Sequence, residues 1–152
     1  MRRVGASVLS VSSRALVAAC ERLGLDTERL LAAAGLDRST IEDADARIPA
    51  EQMRVLWAHA YELSKDPDLA LHAIEVLPFG AYRVVDFIAC SAPTIGAAIS
   101  KVADYFPLIN NGVRLSCQTY GTSVSVALEA IPLAPAMTRP YAEYCLAAVF
   151  LR

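Results

Sequence analysis

The feature that most constrains this chain is a change of hydrophobic period at Asn110-Asn111-Gly112. Before it, apolar residues recur at helical spacing, in segments cut short by glycine and proline; after it they alternate. Val113, Leu115, Cys117 and Thr119 share one face of a strand, with Arg114, Ser116 and Gln118 on the other. Tyr120-Gly121-Thr122 supplies a turn, and Val124, Val126 and Leu128 mark a partner strand. The pattern predicts an α+β fold, a mainly helical domain packed against a small antiparallel sheet with its hairpin over residues 113–129.

The helical part is punctuated by residues whose chemistry starts and stops helices. Ser12 or Ser13 can cap a first helix through Arg14–Leu23, which Gly24 ends. Asp26 can cap a second, Thr27–Ala34, ending at Gly35. A polar stretch, Asp37–Arg47, separates these from a third helix, Pro49–Ser64, with proline in its first turn. Met53, Leu56, Trp57, Ala60 and Leu63 mark its buried stripe. Asp66-Pro67 opens a fourth helix reaching Val76, and Leu77-Pro78-Phe79-Gly80 breaks the chain. A fifth helix is expected over Tyr82–Cys90, and a sixth, capped by Thr94, to Phe106. A proline-rich stretch, 132–140, leads into a last helix from Tyr141.

That last helix runs into Cys-Leu-Ala-Ala-Val-Phe-Leu-Arg152 without a glycine, proline or polar cap. A lone two-stranded hairpin is marginal without further strands. Both observations predict a fold incomplete at the C-terminus; the alternative is a helix that docks at its own end.

Composition narrows the function classes. The 152 residues fit one domain, 55% of them apolar and 20% charged, which excludes a disordered chain. A formal net charge of −2, with no basic stripe, argues against a free-standing nucleic-acid binder. The longest apolar run, Phe87–Ser100, is short for a membrane span and holds Pro93. Met1-Arg2-Arg3 resembles the start of a signal peptide, but Ser7, Ser10, Ser12, Ser13 and Arg14 break the apolar segment that must follow. The expectation is a cytoplasmic protein with no membrane contact. Cys20, Cys90, Cys117 and Cys145 stand at least 27 residues apart and read as buried core thiols. Lysine occurs only at Lys65 and Lys101, which with abundant alanine points to a GC-rich bacterial genome.

The sequence contains no dinucleotide or phosphate-binding glycine loop, no H-E-x-x-H, no S-x-x-K and no G-x-S-x-G. His59 and His72 lie on separate helices at the edges of apolar stripes and read as boundary residues. Glu42, Asp43 and Asp45 lack the glycine and distal glutamate of a calcium loop. No catalytic, metal or cofactor residue is therefore assigned, and no enzyme is expected. Arg14–Leu23, the Gly24-Leu25-Asp26 turn and Thr27–Ala34 have the outline of a helix-turn-helix. The second helix, Thr-Glu-Arg-Leu-Leu-Ala-Ala-Ala, presents too few polar groups to read bases and is taken as a packing helix.

An aromatic and polar set remains in the middle of the chain. Phe87 and Phe106 are expected in the core. Trp57, Tyr82 and Tyr105 carry polar handles suited to lining a ligand pocket. Arg83, amid apolar neighbours, could meet a ligand carboxylate or phosphate; the plainer reading is an arginine reaching into solvent from a helix surface.

Three stretches together carry a family likeness: Leu-Leu-Ala-Ala-Ala-Gly-Leu-Asp (30–37), Asp-Ala-Arg-Ile-Pro-Ala-Glu-Gln-Met-Arg-Val-Leu-Trp (45–57), and the span from Gly80 to Arg114. The last contains Asp86-Phe87, Ser91-Ala-Pro-Thr-Ile-Gly-Ala-Ala, Tyr105 and Asn111-Gly-Val-Arg-Leu. Their order resembles the N-terminal effector-sensing, arabinose-binding-like domain of AraC/XylS-type transcription regulators, over residues 10–150. The resemblance implies a single effector-sensing and dimerisation domain over 1–152, a small-molecule effector and a homodimer. It implies no catalytic residues, and DNA contact only through a C-terminal helix-turn-helix domain, which these residues do not contain. Trp57, Tyr82, Arg83 and Tyr105 are the expected ligand-binding residues. The alternative function is a free-standing interaction or decoy module without DNA binding.

Overall fold

Two three-residue strands fasten the N-terminal end of the described chain. β1 (Ser7–Leu9) pairs antiparallel with β2 (Arg47–Pro49), and Val8 faces Ile48 with both side chains buried. The computed structural model describes residues 5–132 and 134–150. Met1-Arg2-Arg3, Leu133 within the proline-rich stretch, and the Leu151-Arg152 end of the expected last helix lie outside the described residues. β1 also reaches the segment before the hairpin: the Leu9 N–H donates to Ile109 O at 2.7 Å, and the Ser7 N–H to Asn111 Oδ1 at 2.6 Å. Arg47 ties the three segments by donating to Ser7 Oγ, Ser7 O and Leu108 O. Strands this short carry no usable alternation, so the pattern gives no sign of them.

α1 (Val11–Arg22) starts earlier than the expected caps at Ser12 and Ser13, which lie buried in its first turn. Ser10 holds the N-cap position, but its hydroxyl leaves the helix and donates to Asp43 O at 2.6 Å. The exit follows expectation: Gly24 adopts φ +73°, a left-handed conformation that favours glycine. α2 (Thr27–Ala33) has the expected cap, Asp26 Oδ1 accepting the Arg29 N–H at 3.1 Å. It buries Thr27, Leu30 and Leu31, packing towards α1 and α4. The stretch read as polar, Asp37–Arg47, contains a short helix, α3 (Arg38–Glu42), anchored by buried Ile41. Arg38 secures it across the surface to Glu28, Glu21 and Thr27.

α4 (Ala50–Ser64) buries Met53, Leu56, Trp57 and Ala60 as expected, but not Leu63, which is 48% exposed. The residues around it, Tyr61 to Leu63, are all exposed, so the last turn outruns the elements that cover the stripe. α5 (Leu69–Glu75) begins later than Asp66-Pro67, because Asp66 is engaged before the helix. Its carboxylate accepts the Asp68 N–H at 2.9 Å and lies 2.8 Å from His72 Nδ1. α6 (Val84–Cys90) and α7 (Ile95–Tyr105) follow, with Thr94 Oγ1 accepting the Ala97 N–H at 3.1 Å as the expected cap. A 3-10 turn, Phe106–Leu108, ends α7.

β3 (Val113–Tyr120) and β4 (Ser123–Ala130) form the expected hairpin, paired from Val113↔Ala130 to Tyr120↔Ser123. Val113 and Leu115 are buried, whereas the outer half projects from the core. Gly112 precedes it where a Cβ would stand 3.1 Å from the Ala6 methyl and 3.3 Å from Asn110 Oδ1. α8 (Arg139–Phe150) lies against α5 and α4, with Pro140 tolerated in its first turn. The chain is α+β, with two small antiparallel sheets among the described residues rather than one. Cys20 and Cys145 are core thiols, which burial pushes up to about 12. Cys90, in contrast, is exposed and Cys117 half-buried, because α6 and the outer hairpin are covered on one side only.

Candidate functional site

α6 and α7 pack against each other as a helical pair joined through Ser91–Thr94. Facing them is the C-terminal end of α8, and between the three lies a cleft of about 380 Å³. That volume falls within the range of small-molecule sites, about 300–1,000 Å³. Its walls are Val85 and Ala89 of α6, Ile99 and Val102 of α7, and Ala148 and Val149 of α8. Phe106 and Ile109, both buried, connect the walls to the core. Three apolar side chains at the cleft stay largely exposed: Ile95 at 79%, Phe79 at 58% and Phe150 at 56%. Phe79 meets Phe87 edge-on, with ring centroids 5.5 Å apart.

The polar groups of the cleft are few and engaged. The Tyr82 hydroxyl lies 2.7 Å from that of Tyr144, and burial beside this second phenol holds it well above the usual tyrosine range. Asp86 is buried in the first turn of α6, and its Oδ2 accepts the Tyr82 N–H at 3.1 Å. Thr94 Oγ1 is occupied by the helix cap. Among the described residues lining the cleft, none is Lys, Arg or His, and Asp86 is the only acid. No group of three or more His, Cys, Asp or Glu side chains arranged to hold a metal ion occurs among the described residues.

The four sequence-selected ligand residues occupy different places. Tyr82 lines the cleft. Trp57 is fully buried one layer deeper, 5.1 Å from the Tyr144 ring and 5.6 Å from the Tyr141 ring, so it reaches the cleft only through the Tyr144–Tyr82 contact. Trp57 Nε1 finds no hydrogen-bond partner among the described residues. Arg83 turns away from the cleft: Nη1 donates to Asp45 Oδ1 at 2.5 Å and Nη2 to Ala44 O at 2.8 Å. Its backbone sits at φ +54°, ψ −128°, a conformation that favours glycine. Tyr105 is 44% exposed at the end of α7, outside the lining.

Phe106 lies in the core as expected, but Phe87 is 61% exposed. Its position on the helix is apolar by pattern, yet no further element covers that side of α6 apart from the edge contact with Phe79. Sequence reasoning missed Asp86 and the α7 wall. A signal for the latter existed: Ile95, Ile99, Val102 and Phe106 recur at spacings of four, three and four, a helical stripe aimed at one side.

A family model described as the arabinose-binding domain of AraC transcription regulators, N-terminal, matches residues 24–152. Among curated proteins, none matches the chain. No helix among the described residues is long and apolar enough to cross a membrane. The matched family is a class of regulatory ligand-binding domains, not of enzymes. The match spans most of the chain and includes every element from α2 to the described end of α8, so the chain belongs to the family of N-terminal arabinose-binding domains of AraC transcription regulators.

Proposed function

We propose that this chain is the effector-sensing and dimerisation domain of a cytoplasmic transcription regulator, and that its effector sits in the cleft between α6, α7 and α8. The observation that carries the reading is that cleft, of about 380 Å³ with mainly apolar walls, in a chain of a ligand-binding regulatory family. A ligand there touches Tyr82, whose hydroxyl meets Tyr144 of α8, and Tyr144 rests on Trp57 of α4. Ligand binding thus biases the setting of α8 against α4 and, through it, the geometry of a homodimer. Thermodynamically this requires only different affinities for two arrangements. DNA contact belongs to a separate helix-turn-helix domain.

A thermal-shift screen of small acids, fatty acids, amino acids and neutral apolar compounds tests the reading. A compound at 100 times its Kd stabilises the protein by about 2.7 kcal/mol. Ala98→Trp, which places an indole in the cleft, abolishes that shift. A screen without stabilising compounds, or a shift unchanged by Ala98→Trp, sinks the assignment.

A second reading, a protein-interaction or decoy module, is favoured by the exposed apolar side chains Val84, Phe87 and Ile95 on α6 and α7. Size-exclusion chromatography bears on both readings: a strict monomer counts against the sensing dimer and the heterodimeric decoy alike.

A further inference from the structure

The cleft is graded along its length, and the grading bears on how a molecule lies in it, an inference that rests on the sensing reading above. The short connection Ser91–Thr94 sets α6 and α7 antiparallel, so one end of the cleft is at that connection. The other end is where α6 starts and α7 finishes, eleven residues or about 16 Å away along the α7 axis. Tyr82, Val85, Phe106 and Ile109 line this far end, each no more than 7% exposed. At the connection, by contrast, Cys90 and Thr94 are exposed and Ile95 is 79% exposed. Asp86 is already only 6% exposed and its Oδ2 accepts the Tyr82 N–H, so an apolar group beside it removes little further water. Thr94 Oγ1 accepts the Ala97 N–H, and its hydroxyl hydrogen can still be donated to a ligand oxygen.

We propose that the cleft takes a single-chain amphiphile tail first. An unbranched apolar chain lies between Ile99, Val102 and Ala148 and ends at Phe106, while an oxygen head group stays in water at the Cys90–Thr94 connection. Selection is then mainly by chain length and only weakly by head charge. Each methylene drawn out of water tightens binding about fourfold until the far end is filled. The head gains no more than roughly tenfold from one hydrogen bond to Thr94, and solvent screens its charge.

The test uses the neutral fluorophore N-phenyl-1-naphthylamine bound to the whole chain, displaced at neutral pH by straight-chain alkanoates from hexanoate to hexadecanoate below their micelle concentrations. Affinity rises about fourfold per methylene and levels off before hexadecanoate. Val102→Phe, which places a ring towards the far end, moves that break to shorter chains. Decanol, decanoate and decylamine, which share a chain, stay within roughly tenfold of one another. Ile95→Lys and Ile95→Glu put opposite charges at the exposed end, at a position that folding does not bury. At low salt the first raises the affinity of decanoate over decylamine by roughly fivefold and the second lowers it by as much, with decanol little changed. This pair decides the orientation even where Val102→Phe unfolds.

Saturable fluorophore binding with an affinity that ignores chain length, or that rises without a break, overturns the tail-first reading while the cleft remains a ligand site. A break unmoved in a folded Val102→Phe, a head-group preference of a hundredfold, or the same decanoate-to-decylamine ratio in Ile95→Lys and Ile95→Glu overturns it as well. No binding of the fluorophore or of any competitor sinks the sensing reading and the tail-first reading together.

Discussion

Arg83 occupies a backbone conformation that suits glycine, and replacing it with two small residues separates the backbone from the side chain. A non-glycine residue held at φ +54°, ψ −128° costs on the order of 1–3 kcal/mol, sustained only where the surroundings fix it. The fixing contacts are the guanidinium bonds to Asp45 and Ala44 O, but the pair is about half-exposed on the arginine side, 48%, and 81% exposed on the aspartate side. Solvent screening limits such a pair to about 0.2–1 kcal/mol. Arg83→Ala and Arg83→Gly both lose these contacts, so their difference isolates the backbone. Glycine relieves the strain and loses about 0.5–1 kcal/mol to the greater freedom of its unfolded chain. The balance favours Arg83→Gly over Arg83→Ala by about 0–2.5 kcal/mol, centred near 1 kcal/mol. At this chain length 1 kcal/mol is a Tm difference of roughly 2–4 °C, measurable by circular dichroism, with urea unfolding as the check. Asp45→Ala, which leaves the backbone alone, changes stability by no more than about 1 kcal/mol. An alanine variant more stable than the glycine variant refutes the strain at this position.

Four further outcomes concern the core and the cysteines. Trp57→Ala costs about 3–5 kcal/mol in urea unfolding, whereas Trp57→Phe costs much less, because the indole N–H has no partner among the described residues to lose. A double-mutant cycle with Tyr82→Phe and Tyr144→Phe gives a coupling of about 1 kcal/mol through the 2.7 Å hydroxyl pair, and additive effects would deny that bond. Burial pushes Cys20 and Cys145 from an ordinary thiol value of 9.0 up to about 12, so the folded state keeps protons that the unfolded chain releases. Their contribution is fully present below pH 9 and is lost progressively as pH rises towards 12; stability increasing over that window would contradict the burial. Under native conditions iodoacetamide modifies exposed Cys90 before either core thiol, read by peptide mass spectrometry.

Much of the fold is legible in the residues because its punctuation is local chemistry. Asp26 and Thr94 cap their helices with their own side chains, Gly24 turns out of α1, and the alternation from Val113 onward sets the hairpin register. The missed elements are those that depend on distant partners. β1 and β2 are three residues each and exist because Val8, Ile48 and Asn110 meet in space. Ser10 escapes notice as the start of α1 because its hydroxyl bonds to Asp43, far along the chain.

The site is less legible for a related reason. A helical stripe says which side of a helix is apolar, not whether a neighbour covers it. Phe87 and Leu63 therefore read as core, yet both are exposed. Ile95 and Ile99 belong to one stripe and both line the cleft, the first largely exposed and the second buried. Arg83 drew attention as a charge amid apolar residues, although its partners, Ala44 and Asp45, sit in a loop nearly forty positions earlier. Asp86 belongs to the residues that carry the family likeness but gives no sign of a place in the cleft, since one acid in a helix's first turn is ordinary.

The central claim is that the α6–α7–α8 cleft is a ligand site, and stoichiometric titration with N-phenyl-1-naphthylamine tests it most directly. The account predicts saturable binding of one fluorophore per chain, lost in an Ala98→Trp variant whose circular dichroism and Tm match the parent. Fluorescence that never saturates, or saturation undiminished by Ala98→Trp, contradicts it.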